Sequence, residues 1–210
     1  KTSNENPNTI VSAYKDNCAF IEGPKTTLFI PERGDEPSLF SEKESGTVLS
    51  LKAETHNFPT TVEPINGAAT GSGGEIRDRI AGGKGAFTLA GTALYMTSYP
   101  RLPEGVNSWE ERAKERDWLY QTPAEILIKA SNGASDYGNK FGEPLICGSL
   151  YTFEQMPSST NDIAYGFDKV IMLAGGVGYA KRENAIKGKP QPGEKVILMG
   201  GANYRIGMGG

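Results

Sequence analysis

Apolar and polar residues alternate over 48–56, the pattern of a β-strand with one face packed on a core. Because side chains two positions apart share a face of a strand, Lys52, Glu54 and His56 are predicted to point the same way. The alternate residues are predicted to face the core: Leu49, Leu51 and Ala53. A cation, a hard oxygen ligand and a titratable base on one face are typical of a phosphate-and-metal site.

This strand is predicted to end at 57–59, because Pro59 disfavours a helix at Phe58 and removes a ladder donor. A polar, Pro- and Gly-containing loop is predicted over 31–46. Other short apolar stretches predict further strands, at 9–14, 18–22, 27–30, 94–99, 144–153, 169–176 and 195–200.

A helix is predicted to begin after Thr122, since Thr122 and Glu125 have capping-box spacing and Pro123 would be the first helical residue. Apolar residues follow at helical spacing, at Ile126, Leu127, Ala130, Ala134 and Tyr137. Gly138 or Gly142 would end this helix.

The segment 67–91 contains eight glycines in 25 residues. We predict that 67–74 forms a loop before a short helix at 75–81, because such a loop offers free N–H groups and a positive dipole end to phosphate. It is not a Walker A sequence, since no Gly-Lys-Ser/Thr follows. The alternative is a structural turn in which glycine only permits close packing.

Two acids are candidate ligands for Mg²⁺, which favours one or two carboxylates completed by substrate phosphates. Glu54 on the strand and Asp78 on the short helix are predicted to converge on it. The alternative is that Asp78 forms a surface pair with Arg77 or Arg79.

His56, the only histidine, would lie at a strand end opposite the glycine segment, which suits a proton acceptor. Its alternative is a structural histidine. Arg77 suits bidentate capture of phosphate or carboxylate, and its alternative is a solvated helix charge.

The composition of the 210 residues excludes several classes of protein. The chain is 37% hydrophobic with a net charge of -3, and it has neither a basic run typical of nucleic-acid binding nor an apolar run long enough to span a bilayer. Two cysteines without a Cys-x-x-Cys pattern, and no signal peptide, favour a cytoplasmic protein with reduced thiols.

The start at Lys1 and the glycine-rich end lead us to expect a piece of a longer polypeptide. Pro and Gly at 190–193 mark the predicted domain junction. We therefore predict one domain over 1–189 and the start of a second over 190–210.

Two motifs together resemble the phosphoribosylformylglycinamidine synthase family of purine biosynthesis, in its long single-chain form. They are Lys-Ala-Glu-Thr-His-Asn at 52–57 and Gly-Ala-Ala-Thr-Gly-Ser-Gly-Gly-Glu-Ile-Arg-Asp at 67–78. The similarity continues at 12–17, 171–176 and 200–202, so it covers most of the chain and matches the first synthetase half. The combined motif is specific, whereas the glycine stretch alone is not.

The resemblance implies an ATP-dependent C–N ligase. The family converts formylglycinamide ribonucleotide to its amidine with ammonia derived from glutamine, by phosphorylating the amide oxygen and then displacing it. ATP and Mg²⁺ are the implied cofactors, and formylglycinamide ribonucleotide is the implied substrate.

The resemblance also implies a role for individual residues. His56 would be the proton acceptor, and Glu54 and Asp78 would hold Mg²⁺. The implied substrate contacts are Thr55, His56, Asn57, Phe58 and Arg77. The implied ATP contacts are Lys52, Gly67, Ala68, Ala69, Thr70, Gly71, Ser72, Gly73, Gly74, Glu75, Ile76, Arg77, Asp78, Cys147, Gly148 and Ser149.

The implied fold is α+β, an aminoimidazole ribonucleotide synthetase-like N-terminal domain with a mixed sheet and packed helices, followed by the start of an α/β domain. Its sheet would pair with the second synthetase half or with another copy, and a glutaminase domain of the same polypeptide would supply ammonia. Many relatives have histidine where Phe58 stands, and the glutaminase residues are absent here, so the chain alone is expected to be inactive. A non-catalytic nucleotide-binding or pairing domain of the same superfamily is the alternative.

Overall fold

The computed structural model describes residues 2–102, 110, 121–155, 159, 163–167 and 169–201. The last part of the predicted second segment, 202–210 of 190–210, therefore lies outside the described residues. Within them, six strands form one mixed sheet in the order β1-β2-β3-β8-β4-β5. The strands are β1 (Ile10–Ser12), β2 (Ala19–Pro31), β3 (Phe40–Thr55), β4 (Phe87–Thr97), β5 (Leu145–Thr152) and β8 (Ile171–Lys181). Two-residue strands β6 (Glu154–Gln155) and β7 (Tyr165–Gly166) pair separately.

The predicted loop over 31–46 is wrong in its second half. Strands β2 and β3 stay paired from Lys25 opposite Gly46 to Pro31 opposite Phe40, so 40–46 belongs to β3 and 27–30 to β2. The backbone groups of these polar residues find partners in the opposite strand of the hairpin, which the local polarity of the sequence did not reveal. Strand β3 then continues to Thr55, so it ends just before the predicted end at 57–59.

Helix α4 (Pro123–Phe141) confirms the predicted capping box. The Thr122 side chain accepts from the Glu125 N–H, and the Glu125 side chain accepts from the Thr122 N–H. Gly142 follows with a left-handed φ of 80° and ends the helix, as one of the two predicted glycines. This helix is the crossover that makes β5 parallel to β4, while the remaining neighbours in the sheet are antiparallel.

The predicted glycine loop at 67–74 is wrong, because the stretch lies inside helix α3 (Pro64–Ile80). A Cβ at Gly67 would lie 2.5 Å from the Pro59 carbonyl group, and one at Gly133 of α4 would lie 2.1 Å from the Ile65 oxygen. Glycine costs about 1 kcal/mol in a helix relative to alanine. Here glycine lets α3 approach the short helix α2 (Asn57–Val62) and α4 closely. The alternative interpretation, that the glycines permit close packing, is therefore correct, but the glycines lie in a helix and not in a turn.

Helix α2 corrects a second expectation, since Phe58 is helical although Pro59 follows it. Pro59 occupies the first turn of α2, where its missing N–H has no intrahelical partner to lose. The strand predicted at 195–200 is also wrong, because these residues have no regular structure and Val196 to Met199 are strongly exposed. A four-residue helix α1 (Thr2–Glu5) and a 3₁₀ turn (Arg182–Asn184) complete the described elements.

The predicted core side of β3 is reversed. Val48 and Ser50, on the same face as Lys52, are fully buried, whereas Leu51 is 41% exposed. Helix α3 packs on this face of β3 and β8, and both α3 and α4 contact β4. The opposite sheet face carries Leu49, Leu51 and Ala53, and no described helix covers it.

Two hydrophobic clusters form the core. The larger joins α3 and α4 to β4 and β8, and its buried members are Ala68, Ala93, Tyr95, Ile126, Ala130, Ala134, Val170, Met172 and Ala174. The smaller lies around β2 and β3, and contains Cys18, Phe20, Val48, Ala180 and Ala185. Among the described residues, no helix is long and apolar enough to cross a membrane. The α+β class and the mixed sheet with packed helices are confirmed.

Candidate functional site

Lys52 bridges the two acids that the sequence singled out. Its Nζ lies 3.0 Å from Glu54 Oε2 and 2.9 Å from Asp78 Oδ2. The side chain of Lys52 is 17% exposed, that of Glu54 38% and that of Asp78 27%. Strand β3 supplies the first two residues and the last turns of α3 supply the third, so Glu54 and Asp78 do lie close together, on the ammonium of Lys52. Their role as Mg²⁺ ligands stays a prediction. Asp78 pairs with Lys52 rather than with Arg77 or Arg79.

The two acids shift the titration of the lysine. The hydrogen bond to Asp78 raises the pKa of Lys52 above its usual value, and the bond to Glu54 adds to this against the opposing effect of partial burial. Lys52 is therefore a fixed cation at neutral pH, with one carboxylate on each side. Such a group offsets the charge of a phosphate chain without being able to act as a base.

The turn between β1 and β2 supports the end of α3. Asn17 Nδ2 donates to Asp78 Oδ1 at 3.2 Å, and the adjacent Asp16 accepts from the Gly83 N–H at 2.9 Å. Asp16 also pairs with Lys187 at 3.0 Å. Burial alone would raise the pKa of Asp16, but these bonds outweigh it and lower that pKa below the usual value. Asn17 in this turn thus binds one carboxylate oxygen of Asp78 while Lys52 binds the other. The alternation along β3 could not predict the contact with Asn17.

His56 follows the last residue of β3 and precedes α2. Its N–H donates to the Met172 carbonyl at 3.0 Å, and its carbonyl accepts from the Thr60 hydroxyl at 2.5 Å. Its imidazole Nδ1 is buried and finds no hydrogen-bond partner among the described residues. A Cβ at Gly71 would lie 2.9 Å from the His56 Cβ, so glycine at that position of α3 leaves the room that the imidazole occupies. Most buried polar atoms in proteins have a hydrogen-bond partner, and a catalytic role is one explanation for those that do not.

Arg77 is exposed on the same turn of α3 as Asp78, and α4 holds it. Its Nη1 donates to the Tyr137 hydroxyl at 3.1 Å, with its guanidinium carbon 6.0 Å from the centre of the Tyr137 ring. A Cβ at Gly73 would lie 2.6 Å from this Nη1 atom and equally close to the ring. The structure thus places Arg77 beside the Lys52–Glu54–Asp78 cluster, with Gly74 between Arg77 and Glu54.

Asn57 and Phe58, predicted to contact substrate, lie in α2. The Asn57 side-chain oxygen accepts from the Met172 N–H at 3.1 Å, which ties the start of α2 to β8. Phe58 is 55% exposed. Asn57 thus has a structural contact, while the ring of Phe58 is largely accessible.

Other predicted site residues do not join the cluster. Thr55 alternates with Glu54 and so lies on the open sheet face. Cys147 is in register with Thr92, Gly175 and Ala53, which puts it on that face too, about 14 Å or three strand spacings from β3. Gly148 and Ser149 lie on the same edge strand.

The glycine segment also differs from the expectation of free N–H groups. Its backbone groups from Gly67 onward lie within α3, where N–H groups bond along the helix. Glu75 and Ile76 are each 1% exposed. The half-buried or exposed members of the segment are Ala69, Thr70, Gly74, Arg77 and Asp78.

The residues present fit Mg²⁺ as the resemblance implies. Glu54 and Asp78 provide two carboxylates that meet at one point, the number that Mg²⁺ takes from proteins when phosphates complete its octahedron. The described residues contain no group of three or more His, Cys, Asp or Glu side chains able to bind a metal by themselves. Two carboxylates alone do not complete the octahedron of Mg²⁺, so phosphate oxygens or water would have to supply its other ligands.

Sequence reasoning missed the most deeply buried charges. Arg79, Glu75 and Glu143 have 0%, 1% and 1% exposure and form one ion-pair cluster. Burial raises the pKa of Glu75 to about 7, although its bonds to Arg79 oppose that shift. Arg79 had been considered only as a surface partner of Asp78. The spacing of Glu75 and Arg79, one helical turn apart, was the available signal.

Comparison with known proteins confirms the predicted resemblance. No family model matches the chain. Phosphoribosylformylglycinamidine synthase of Homo sapiens is 40% identical over 206 residues, which are 98% of this chain and 15% of that protein. The enzyme of the same name from Dictyostelium discoideum is 40% identical over 209 residues, 100% of this chain and 15% of that protein. The chain thus spans about 15% of the length of these relatives.

A solved structure supports the fold. PurLQS from Thermotoga maritima matches 87% of this chain and 23% of that chain, with a TM-score of 0.50 and 14% identity. This likeness concerns the fold alone, and it agrees with the predicted synthetase-like α+β architecture.

Proposed function

We propose that this chain, homologous along its length to a segment of phosphoribosylformylglycinamidine synthases, forms one wall of an ATP-dependent C–N ligase site. The observation that carries the proposal is Lys52 held between Glu54 and Asp78, with His56 at the end of the same strand. The chain by itself is expected to be inactive, since it spans only 15% of the relatives.

The proposed reaction has two steps. The amide oxygen of formylglycinamide ribonucleotide attacks the γ-phosphorus of ATP, and the bond from that phosphorus to the bridging oxygen of ADP breaks. Ammonia then adds to the amide carbon, the carbon–oxygen bond breaks to release phosphate, and one proton leaves the new nitrogen. The products are the amidine, ADP and phosphate, and ammonia comes from hydrolysis of glutamine to glutamate.

Lys52 and Arg77 would bind anionic groups in this scheme. Lys52 offsets charge on the ATP phosphates, and Arg77, oriented by Tyr137, offers two N–H groups to the phosphate of the substrate. Glu54 and Asp78 would hold Mg²⁺, which neutralises phosphate charge when bound. The accessible residues of 67–78 are the proposed nucleotide contacts on α3. Cys147, Gly148 and Ser149 on the edge strand β5 are proposed as a second nucleotide contact, apart from the Lys52–Glu54–Asp78 cluster.

His56 is the proposed acceptor of the proton from nitrogen. It is the only histidine of the chain, and a buried imidazole nitrogen without a partner suits a group whose hydrogen bonds form with substrate. Thr55, Asn57 and Phe58 flank it and are the further proposed substrate contacts.

The open sheet face is the proposed contact with the second synthetase half of the longer polypeptide. It is apolar, with a depression lined by Leu51, Ala53, Thr92, Leu94, Leu173, Gly175 and Val177. Self-association of the isolated chain through this face, a glutaminase domain as the source of ammonia, a cytoplasmic location and a domain boundary near 190 are further parts of the proposal.

The test measures ammonia-dependent amidine formation by the full-length polypeptide. His56→Ala and Glu54→Ala are expected to lower the rate by about 10²-fold or more, while glutamine hydrolysis continues. Lys43→Met in the hairpin arm of β3 is the matched control and should leave the rate unchanged. Near-normal rates in both site variants would reject the catalytic role and favour the alternative, a non-catalytic nucleotide-binding or pairing domain, for which the apolar open face is the supporting observation.

A further inference from the structure

One arginine inside the protein joins α3 to two other elements. Arg79 Nε donates to Glu75 at 2.6 Å, within α3. Its Nη2 donates to Glu143 at 2.5 and 2.6 Å, just after α4, and its Nη1 donates to the Val177 carbonyl of β8 at 2.8 Å. All three nitrogens of the guanidinium are therefore bonded, without access to water.

The sheet leaves room for these charges by means of glycines. A Cβ at Gly176 of β8 would lie 2.4 Å from Arg79 Nη2, and one at Gly91 of β4 would lie 2.7 Å from Glu143 Oε1. Glycine weakens a strand, so its use at these two neighbouring positions has a local cause. That cause is the space that the guanidinium and its partner carboxylate occupy.

Stability alone gives a poor account of the cluster. The desolvation of buried ions is costly, and well-packed apolar residues often stabilise a fold at least as much. What an ion cluster adds is a defined geometry, because a guanidinium with fixed partners permits one orientation of the helix that carries it. Asp78 directly precedes Arg79 in that helix, so an orientation that fixes Arg79 also fixes the side from which Asp78 meets Lys52.

We propose that Arg79, clamped by Glu75 and Glu143, is a positioning residue that sets the rotation of the last turns of α3 and thereby aligns Asp78 with Lys52 for MgATP. This inference rests on the proposed function of that ion pair. Arg79 itself touches neither nucleotide nor substrate, since it is fully buried.

The experiment compares MgATP affinity with the stability of α3 in the full-length polypeptide. The variants are Arg79→Lys, Glu143→Gln and Glu75→Gln, and the two isosteric glutamine variants serve if the lysine variant does not fold. The matched control is Val48→Ala, which removes buried volume from the second core cluster, on the sheet face that α3 covers, but leaves every ion pair of the Arg79 cluster in place. Amide hydrogen exchange reports local stability, and calorimetry reports the Kd for MgATP.

Arg79→Lys and Glu143→Gln are expected to raise the Kd by about tenfold or more, because misplacement of a binding group is costly. Val48→Ala should change it by less than about twofold at a comparable loss of stability. Cluster variants that lose protection in α3 yet bind MgATP normally would overturn the inference and leave the cluster a purely structural element.

A second pair of variants separates this inference from the function on which it rests. Lys52→Met and Asp78→Asn must weaken MgATP binding if the proposed site is correct. If both bind normally, the proposed function fails and this inference fails with it. If they bind weakly while Arg79→Lys and Glu143→Gln bind normally, only the positioning role of Arg79 is overturned.

Discussion

The ammonium group of Lys52 lies 2.9 Å from Asp78 Oδ2 and joins the strand β3 to the last turns of α3. Glu54, two residues along the strand, pairs with the same ammonium. The two carboxylates therefore share one cation, and in the proposed site they would hold Mg²⁺ together with the phosphates of ATP. Lys52, Glu54 and Asp78 therefore form one charged cluster, which is the candidate site.

Removing this cation should affect activity far more than stability. Lys52 is 17% exposed and Lys52→Met leaves two carboxylates without their cation, so the free energy of unfolding of the domain is expected to fall by about 1 kcal/mol. The loss of an electrostatic contact to the reacting phosphate should lower kcat by about 10²- to 10³-fold. Steady-state kinetics with ammonia, beside Lys43→Met as control, measure this. Equal effects of the two methionine variants would contradict the assignment.

Tyr137→Phe should separate orientation from charge at Arg77. The ring and its stacking on Phe141 remain, and only the hydroxyl that accepts from Arg77 is lost. Because Arg77 stays charged but is less well held, KM for formylglycinamide ribonucleotide should rise about three- to tenfold with a smaller change in kcat. Arg77→Ala should give a larger rise. A KM unchanged in Tyr137→Phe would show that the tyrosine does not orient the guanidinium for substrate.

The alternation over 48–56 was sufficient to predict which residues share a face, but not which face is buried. Leu49 and Leu51 belong to the face of the sheet that no described helix covers. Helix α3 covers the other face, which carries Val48, Ser50 and Lys52. Periodicity defines two faces of a strand, and only the position of other elements decides which becomes core. The burial of the charged face and the exposure of Leu51 on the opposite face therefore depend on the tertiary structure and could not be predicted from the strand alone.

The glycines of α3 misled for a related reason. Local propensity opposes a helix with Gly67, Gly71, Gly73 and Gly74, and only contacts with α2, β8 and α4 reveal why the helix forms. By contrast, α4 was predictable because its capping box, apolar spacing and terminal glycine all agree locally. Of the cluster around Arg79, the sequence carries a local signal only for the pair with Glu75, because the other partners come from β8 and the α4–β5 connection.

Gly71→Ala and Gly74→Ala form a matched pair that tests the packing of α3. Alanine at 74 would place its Cβ 3.7 Å from Glu54 Cγ, an ordinary contact, so the helix should gain up to about 1 kcal/mol. Alanine at 71 would place its Cβ 2.9 Å from both His56 Cβ and Met172 Sδ. Overpacking of this kind costs about 1–3 kcal/mol and should displace His56.

Hydrogen exchange of α3 and ammonia-dependent turnover in the full-length polypeptide measure the two effects. Gly71→Ala is expected to lose both protection and turnover, while Gly74→Ala keeps the protection or increases it. Similar protection in the two variants would mean that α3 does not approach His56 as closely as described.

Glu75 predicts the direction in which pH changes the stability of α3. Burial raises its pKa from 4.5 to about 7 in the folded chain, above the unfolded value. A raised carboxyl pKa gives stability that is fully present below about pH 4.5 and is lost as the pH rises through about 7. The loss is on the order of a few kcal/mol, since one pKa unit corresponds to about 1.4 kcal/mol.

Glu75→Gln removes this titration but keeps the shape of the side chain. We therefore expect the local unfolding free energy of α3 in Glu75→Gln, relative to that of the unsubstituted polypeptide at the same pH, to increase from pH 5 to pH 8, because only the unsubstituted polypeptide loses stability over this range. Asp16, whose pKa is lowered, contributes stability that is lost only as the pH falls below its usual range, outside this window. Hydrogen exchange of 64–80 at each pH gives the comparison. A difference between the two proteins that stays constant from pH 5 to pH 8 would show that Glu75 does not take up a proton in this range.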